Sequence, residues 1–282
     1  MRQAMILAAG LGTRLKPLTD TMPKALVKVG GRPLLDIVVE RLLDTRLYDR
    51  LVVNVHHFAQ QIVDHVAASS YAPLVHISDE SDQLLETGGG LKRAARLFTT
   101  DEPLLIHNVD ILDNVDYAWF ARQHLSDEDA VLLVSRRRTK RYLLFNSAMR
   151  LMGWINSETG EVRSPFPWLR EAELAIDDQL QVVEQPNSPS GIRNSESPIL
   201  NSQFSILNSR LYAFAFSGIH SFSPRLFTLM DRFPDRFPII DFYLSICHRA
   251  HIMGCVKDDL RLLDVGKLDT LQQAEDFLIT MS

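Results

Sequence analysis

Apolar residues in this chain fall into short continuous blocks, separated by stretches with helical spacing. The first block, Met5-Ile-Leu-Ala-Ala9, predicts a buried strand. Pro33 stands where a helix begins, and Leu34, Leu35, Val38 and Leu42 then recur at helical spacing. Leu51-Val-Val-Asn-Val55 is continuous rather than alternating, as strands covered on both faces are. Residues 58–68 return to helix, and Leu74-Val-His-Ile77 predicts a third strand. This β-α-β-α-β order argues for a doubly wound α/β fold. Its sheet is expected to be mostly parallel and flanked by helices, with ligands at the carboxyl ends of the strands.

Further along, a helical pattern runs through Phe98, and strands are expected at 104–110 and 130–135. Residues 142–145 and 151–155 read as a hairpin. Residues 211–216 predict a strand that ends in Ser217-Gly218-Ile219. Ser223-Pro224 and Pro238 each open a helix, the second reaching Arg249. A last strand ends in Asp264, and 268–280 form a final helix. One region breaks the pattern. Residues 185–210 are rich in turn formers, and Ile-Leu-Asn-Ser occurs there twice, at 199–202 and 206–209. An inserted, poorly ordered loop is expected at this place. Apart from it, residues 1–282 read as a single domain.

Composition narrows the class only a little. With 46% hydrophobic and 23% charged residues the chain is ordinary for a globular protein. A net charge of −5 gives no reason to expect nucleic acid as a partner. No apolar run reaches the length of a membrane span and no signal-peptide core is present, so no membrane partner and a cytoplasmic location are expected. Cys247 and Cys255 lack metal-like pairing and are expected to be free and buried. His56 and His57 are neighbours on extended chain and point to opposite faces, so they read as loop residues. His248 and His251 could share a helix face, but no third ligand accompanies them.

The chemistry concentrates where the first strand ends. In Gly10-Leu11-Gly12-Thr13-Arg14 the glycines allow close backbone approach and present N–H groups. Arg14 offers a fork suited to phosphate oxygens, and Lys24 after Pro23 adds a point charge. These are means of holding a polyphosphate. Leu15 stands where a dinucleotide fingerprint needs its third glycine, and neither a Walker loop nor the partners of a kinase loop occur. Two further stretches carry candidate chemistry. Glu86-Thr-Gly-Gly-Gly90 opens a helix, either as a flexible turn or as a place where exposed N–H groups meet an anion or a base edge. Asp110 ends a buried strand, where a carboxylate needs a partner such as a divalent cation. The helix starting near Asp116 is expected to be capped by Asp113 or Asn114. Arg136 to Arg138 with Lys140 and Arg141 form a basic run, either a solvated loop or a meeting place for anionic groups.

Residues 7–26 match, position by position, the pattern L-A-A-G-x-G-T-R-x-x-P-x-T-x-x-x-P-K-x-L, and on these residues the chain resembles the sugar-1-phosphate nucleotidyltransferases. The resemblance implies a Rossmann-like nucleotide-diphospho-sugar transferase fold, with a nucleoside triphosphate and a sugar 1-phosphate as substrates. It implies nucleotide contacts at Ala8, Ala9, Gly10, Gly12, Thr13, Arg14, Glu86, Thr87, Gly88 and Asn108, with Arg14 and Lys24 as the catalytic cations. It implies Mg²⁺ held by Asp110 and Asp264, although Val109 and Lys267 replace the glycine and threonine usual beside them. Ser217 and Gly218 become candidate sugar contacts, and the region of about 136–185 the sugar side. Gln185 lacks the charge of the lysine found in thymidylyl relatives, so that role is not carried over.

Glu86-Thr-Gly-Gly-Gly90 is similar to the base-binding loop of bacterial N-acetylmuramate-1-phosphate uridylyltransferases, which points to UTP and N-acetylmuramate 1-phosphate. The alternative within the class is GTP with mannose or heptose 1-phosphate. A catalytically silent nucleotide-binding regulatory subunit is the alternative outside it.

Overall fold

A computed structural model describes residues 1–177, 179–184 and 210–280. The expected inserted loop falls almost wholly on 185–209, outside the described residues, as does Gln185. By its contacts the chain divides into two compact units. One comprises Met1–Ser126, Gly218–Phe242 and Asp259–Ser282, and the other Asp127–Ser217 and Tyr243–Asp258.

In the first unit the elements follow the expected order. They are β1 (Arg2–Leu7), a short hairpin of β2 (Lys28–Val29) and β3 (Arg32–Pro33), α1 (Leu34–Asp44), β4 (Tyr48–Val55), α2 (Ala59–Ala67), β5 (Val75–Asp79), α3 (Glu86–Ala94), β6 (Leu104–Asn108), β7 (Ile111–Asp113) and α4 (Tyr117–Ala121). The apolar blocks become a parallel sheet in the order β5-β4-β1-β6. Ala4, Met5, Ile6, Leu51, Val52, Val53 and Ile106 are fully buried in it, which is why their blocks do not alternate. The unit is completed by Ile219–Phe222, antiparallel to β6, and by Leu262–Asp264, antiparallel to β7. The parallel strands all end at one edge, and the loops leaving that edge build the site.

In the second unit β8 (Ala130–Ser135) pairs parallel with Ile252–Val256. Here β9 (Arg141–Phe145) and β10 (Leu151–Asn156) form the expected hairpin. A small core of Tyr142, Leu144, Met152, Ile155 and Leu169 packs beneath it. Among the described residues no helix is long and apolar enough to cross a membrane.

Three expectations are corrected. The first strand stops at Leu7 rather than Ala9, because the Ala8 N–H donates to the Asn54 side chain (2.7 Å). The strand entering Gly218 does not end there. It runs on from Tyr212 to Phe222, and Gly218 takes a left-handed φ of 81° within it. The cap of α4 is Asp116 itself, whose Oδ1 accepts from the N–H groups of Ala118 (2.8 Å) and Trp119 (3.0 Å).

Asn114 and Asp113 have other partners. The Asn114 side chain donates to the Asp259 carbonyl (2.9 Å). Asp113 is wholly buried. It meets Arg41 Nη1 (3.2 Å), His107 Nε2 (3.1 Å) and the Tyr117 hydroxyl (3.0 Å), and accepts from the Val115 N–H (2.8 Å). The His107 Nδ1–H donates to the Asn108 carbonyl (2.8 Å), so this network pins the end of β6 just before Asp110. Burial alone would raise the Asp113 carboxyl; the hydrogen bond and charge of His107, with Arg41, outweigh it and hold the carboxyl below its usual range.

Removing that carboxylate deprives buried His107 and Tyr117, and half-buried Arg41, of their shared partner. Asp113→Ala is expected to lose about 3 kcal/mol of unfolding free energy at neutral pH, read from urea midpoints. A carboxyl whose folded pKa is depressed contributes fully above its unfolded value of about 4 and loses the contribution as pH falls through the folded value. The gap between wild type and variant should therefore hold at pH 6 to 8 and narrow in acid. A gap independent of pH down to 3 would show that the ionised carboxylate is not what stabilises.

Candidate functional site

At the carboxyl ends of β1, β4 and β6 lies a cavity of about 550 Å³. Three segments of the first unit line it, the loop 7–14, the start of α3 with Leu84, Glu86 and Thr87, and Asn108 to Asp110, together with the single residues Lys24, Asn54, Pro238 and Gly266.

The two glycines of the loop have different reasons to be there. Gly12 has a left-handed φ of 64°, and a Cβ on it would come within 2.8 Å of Thr19 Cγ2 and 3.0 Å of Lys24 Cβ. Its carbonyl accepts from the Thr19 hydroxyl (2.8 Å) and the Leu15 N–H (2.8 Å), which tightens the turn. The fold itself demands Gly12. Gly10 is exposed, lines the cavity and has nothing within 4 Å of where its Cβ would stand, so no contact within the chain requires it.

Both predicted cations reach the cavity. Lys24 is 7% exposed and its Nζ is ion-paired with Asp110 Oδ2. Arg14 stands on the turn Thr13–Leu15, anchored by buried Leu15, with Nη2 3.8 Å from Asp264 Oδ2. Asp110 and Asp264 come from distant parts of the chain. The antiparallel pairing of Leu262–Asp264 with β7 sets Asp264 opposite Ile111, and the Val265 N–H donates to the Asp110 carbonyl (2.8 Å). Gly266 makes room here, since a Cβ would lie 2.6 Å from Asp264 Oδ1 and 2.7 Å from Arg14 Nη2.

Two hard carboxylates, each already facing a cation, suit a divalent ion such as Mg²⁺ better than a soft metal. Among the described residues no cluster of three or more His, Cys, Asp or Glu side chains gathers as a metal site, so phosphate and water oxygens would have to complete the coordination.

At α3 the reading of exposed glycine N–H groups is overturned. Those of Gly88 and Gly89 donate to the Phe237 carbonyl (2.9 and 3.1 Å). The glycines serve packing. A Cβ on Gly88 would overlap the Phe237 ring, and one on Gly89 would overlap the Asp235 carbonyl. The segment 235–239 is thus strapped to the start of α3, where Ile239 N–H donates to Thr87 Oγ1 (2.9 Å) and Arg236 Nε to Glu86 Oε1 (3.0 Å). Glu86 and Thr87 face the cavity beside Pro238; Gly88 does not line it.

Of the other predicted residues, Ala8, Ala9, Thr13 and Asn108 line the cavity. Gly218 does not, but backs onto Asn108, whose Nδ2 would be 2.8 Å from its Cβ. Ser217 is buried and belongs to the second unit. In that unit Arg136 Nε meets Asp258 (3.3 Å), Lys140 Nζ meets Glu158 (2.7 Å), and Arg137 Nη2 donates to the Phe216 carbonyl (3.3 Å). Burial pushes the Cys247 thiol up to about 12 and that of Cys255 up to about 11, which leaves neither a ready nucleophile. Asn54, Leu84 and Pro238 were not among the predicted site residues. For Asn54 the signal was present as one polar residue inside the apolar block 51–55.

Residues 3–142 match the nucleotidyl transferase family. Over 110 residues, 38% of this chain, it is 47% identical to the N-acetylmuramate alpha-1-phosphate uridylyltransferase of Caulobacter vibrioides, of which the match covers 45%. Over 116 residues, 41% of this chain, it is 39% identical to the enzyme of that name from Neisseria meningitidis serogroup B, of which it covers 49%. The match thus spans about half the length of these relatives. A UDP-glucose pyrophosphorylase complexed with UDP-glucose superposes with a TM-score of 0.65 at 14% identity, covering 100% of both chains. The fold is therefore the Rossmann-like nucleotide-diphospho-sugar transferase fold.

The glycine geometry can be tested by melting. Gly12→Ala and Gly89→Ala should each lose on the order of 1–3 kcal/mol of stability, since something must move to admit the methyl group. Gly10→Ala should melt close to wild type, within about 0.5 kcal/mol. A Gly10→Ala midpoint lowered as far as that of Gly12→Ala would overturn the distinction.

Proposed function

Residues 3–142 of this chain belong to the nucleotidyl transferase family, and from that premise we propose that it joins a nucleoside triphosphate to a sugar 1-phosphate, giving a nucleotide sugar and pyrophosphate. The observation that carries this reading is the charge gathered at the cavity. Arg14, Lys24 and Asp110 line it, with Lys24 paired to Asp110 and Arg14 to Asp264, which stands just outside the lining. Phosphate oxygens entering the cavity would take over the cations that these carboxylates now hold.

A phosphate oxygen of the sugar 1-phosphate attacks the α-phosphorus in line, the bond to the β-phosphate bridging oxygen breaks, and pyrophosphate leaves. The attacking oxygen is already anionic, so no side chain has to remove a proton. Catalysis is then positioning together with charge neutralisation. The N–H groups of residues 10–13 and the Arg14 guanidinium stabilise the leaving pyrophosphate. Lys24, held almost out of water, places its charge where the α-phosphate or the sugar phosphate arrives. Bound Mg²⁺ would be held by Asp110 and Asp264 and would supply further neutralisation of phosphate charge.

For the substrates we propose UTP and N-acetylmuramate 1-phosphate. This rests on the two uridylyltransferase relatives and on Glu86-Thr87 at the cavity wall. The nucleotide substrate makes the cytoplasm the expected compartment.

The test is pyrophosphate release with Mg²⁺, crossing UTP, GTP, dTTP and CTP with a panel of sugar 1-phosphates. UTP with N-acetylmuramate 1-phosphate should turn over fastest, and Lys24→Ala should lose about 10²–10³ of that turnover. Fastest turnover of GTP with mannose or heptose 1-phosphate would replace the substrate assignment. No release with any pair, from protein that still binds nucleotide, would replace the enzyme by a silent binding subunit. Wild-type turnover in Lys24→Ala would remove Lys24 from the chemistry.

A further inference from the structure

Behind the cavity wall, and outside its lining, sits a carboxylate with no role in the chemistry above. Glu80 follows β5 and has no solvent exposure. Asn54, near the end of β4 and 2% exposed, stands between it and the cavity. The polarity of this arrangement is dictated by its ends. A backbone N–H can only donate, so the atom of Asn54 that faces Ala8 N (2.7 Å) is Oδ1. The amide nitrogen must then face Glu80, and Nδ2 lies 2.7 Å from Oε1. The other carboxylate oxygen, Oε2, accepts from the Leu85 N–H (3.4 Å), directly before α3.

The rest of the surroundings hold Glu80 in place. Its N–H donates to the Val55 carbonyl (2.8 Å), and its carbonyl accepts from the Gln83 N–H (3.0 Å) and from His56 Nδ1–H (2.6 Å). Gly90 explains itself here. A Cβ on it would lie 2.6 Å from Glu80 Oε1 and 2.8 Å from Asn54 Nδ2, so the third glycine of the run leaves space for this pair. Burial pushes the Glu80 carboxyl up, against the opposing bonds from Asn54 and Leu85.

We infer that Glu80 is a positioning residue that, through Asn54, locks the glycine loop and the start of α3 into one frame for nucleotide binding. Ala8 belongs to the loop that meets the phosphates, whereas Glu86 and Thr87, next to Leu85, belong to the wall proposed to meet the base. One buried carboxylate is thus tied to both walls of the cavity by a single side chain and a single N–H. Loosening it should let the phosphate and base contacts drift apart, so that neither is lost but both cannot be made well at once. The inference rests on the nucleotide reading of the cavity and adds to it a residue that touches no substrate.

The test is calorimetric titration of UTP and of GTP, with Mg²⁺, into the full chain and three variants. Glu80→Gln keeps the volume but turns an N–H donor toward Asn54 or Leu85. Asn54→Ala frees Ala8 while leaving the Glu80 carboxylate the Leu85 N–H. Leu42→Ala, a core truncation in α1, is the control for lost stability alone. Glu80→Gln and Asn54→Ala should each weaken the preferred nucleotide about tenfold, and Leu42→Ala should lower the melting midpoint with affinity unchanged. In turnover, the same two variants should raise KM for the nucleotide and leave KM for the sugar 1-phosphate near wild type. Unchanged affinity in both, or equal weakening in Leu42→Ala, overturns the inference and leaves the functional reading intact. If Glu80→Gln does not fold, Asn54→Ala decides by the same criterion. Absence of nucleotide binding in the unaltered protein would overturn the functional reading, and this inference with it.

Discussion

A lysine ammonium nine-tenths out of water has to meet a counter-charge, and much of this site follows from the way Lys24 meets Asp110. The pair ties the turn after Pro23 to the end of β6, two pieces of chain that the sheet does not join directly. Asp110 in turn accepts, through its backbone carbonyl, the N–H that brings the Asp264 segment alongside. Below it, the buried Asp113 network with His107, Tyr117 and Arg41 keeps the end of β6 from shifting. Lys24 and Arg14 thus each face a carboxylate of the chain itself. In the proposed reaction an incoming polyphosphate would find cations already in position and would have only to exchange one set of anionic partners for another.

The glycines show how one residue type serves several ends. Gly12 takes a backbone angle and a packing gap that the turn itself needs. Gly88 and Gly89 let the segment 235–239 close onto α3, bringing Pro238 to the cavity and Arg236 to Glu86. Gly90 leaves space for the Glu80–Asn54 pair. Gly10 lines the cavity and has nothing within 4 Å of where its Cβ would stand. Close backbone approach to a ligand and close approach of one backbone to another draw on the same missing Cβ.

Much was legible in the order of residues because the forces behind it are local. Continuous apolar blocks specify strands buried on both faces, and the parallel sheet of β5, β4, β1 and β6 follows from them. The match over residues 7–26 placed Arg14, Lys24 and the glycine loop at the end of the first strand, where they are found around the cavity. Asp110 could be singled out by itself, since a carboxylate ending an apolar strand needs a partner.

Tertiary structure decided what depends on residues far apart in the chain. Nothing near Gly88 announces that its N–H will be taken by a carbonyl at Phe237, about 150 positions later, so a local reading left it exposed. The cap of α4 passed to Asp116 because Asp113 was claimed by Arg41 and His107, and Asn114 by the Asp259 carbonyl. Asn54 is a polar residue in an apolar strand whose partners, Ala8 and Glu80, lie elsewhere in the chain. Local pattern sets which surfaces must be covered. Which partner satisfies each buried polar group is settled only when distant segments meet, because a hydrogen bond has direction and hydrophobic burial has none.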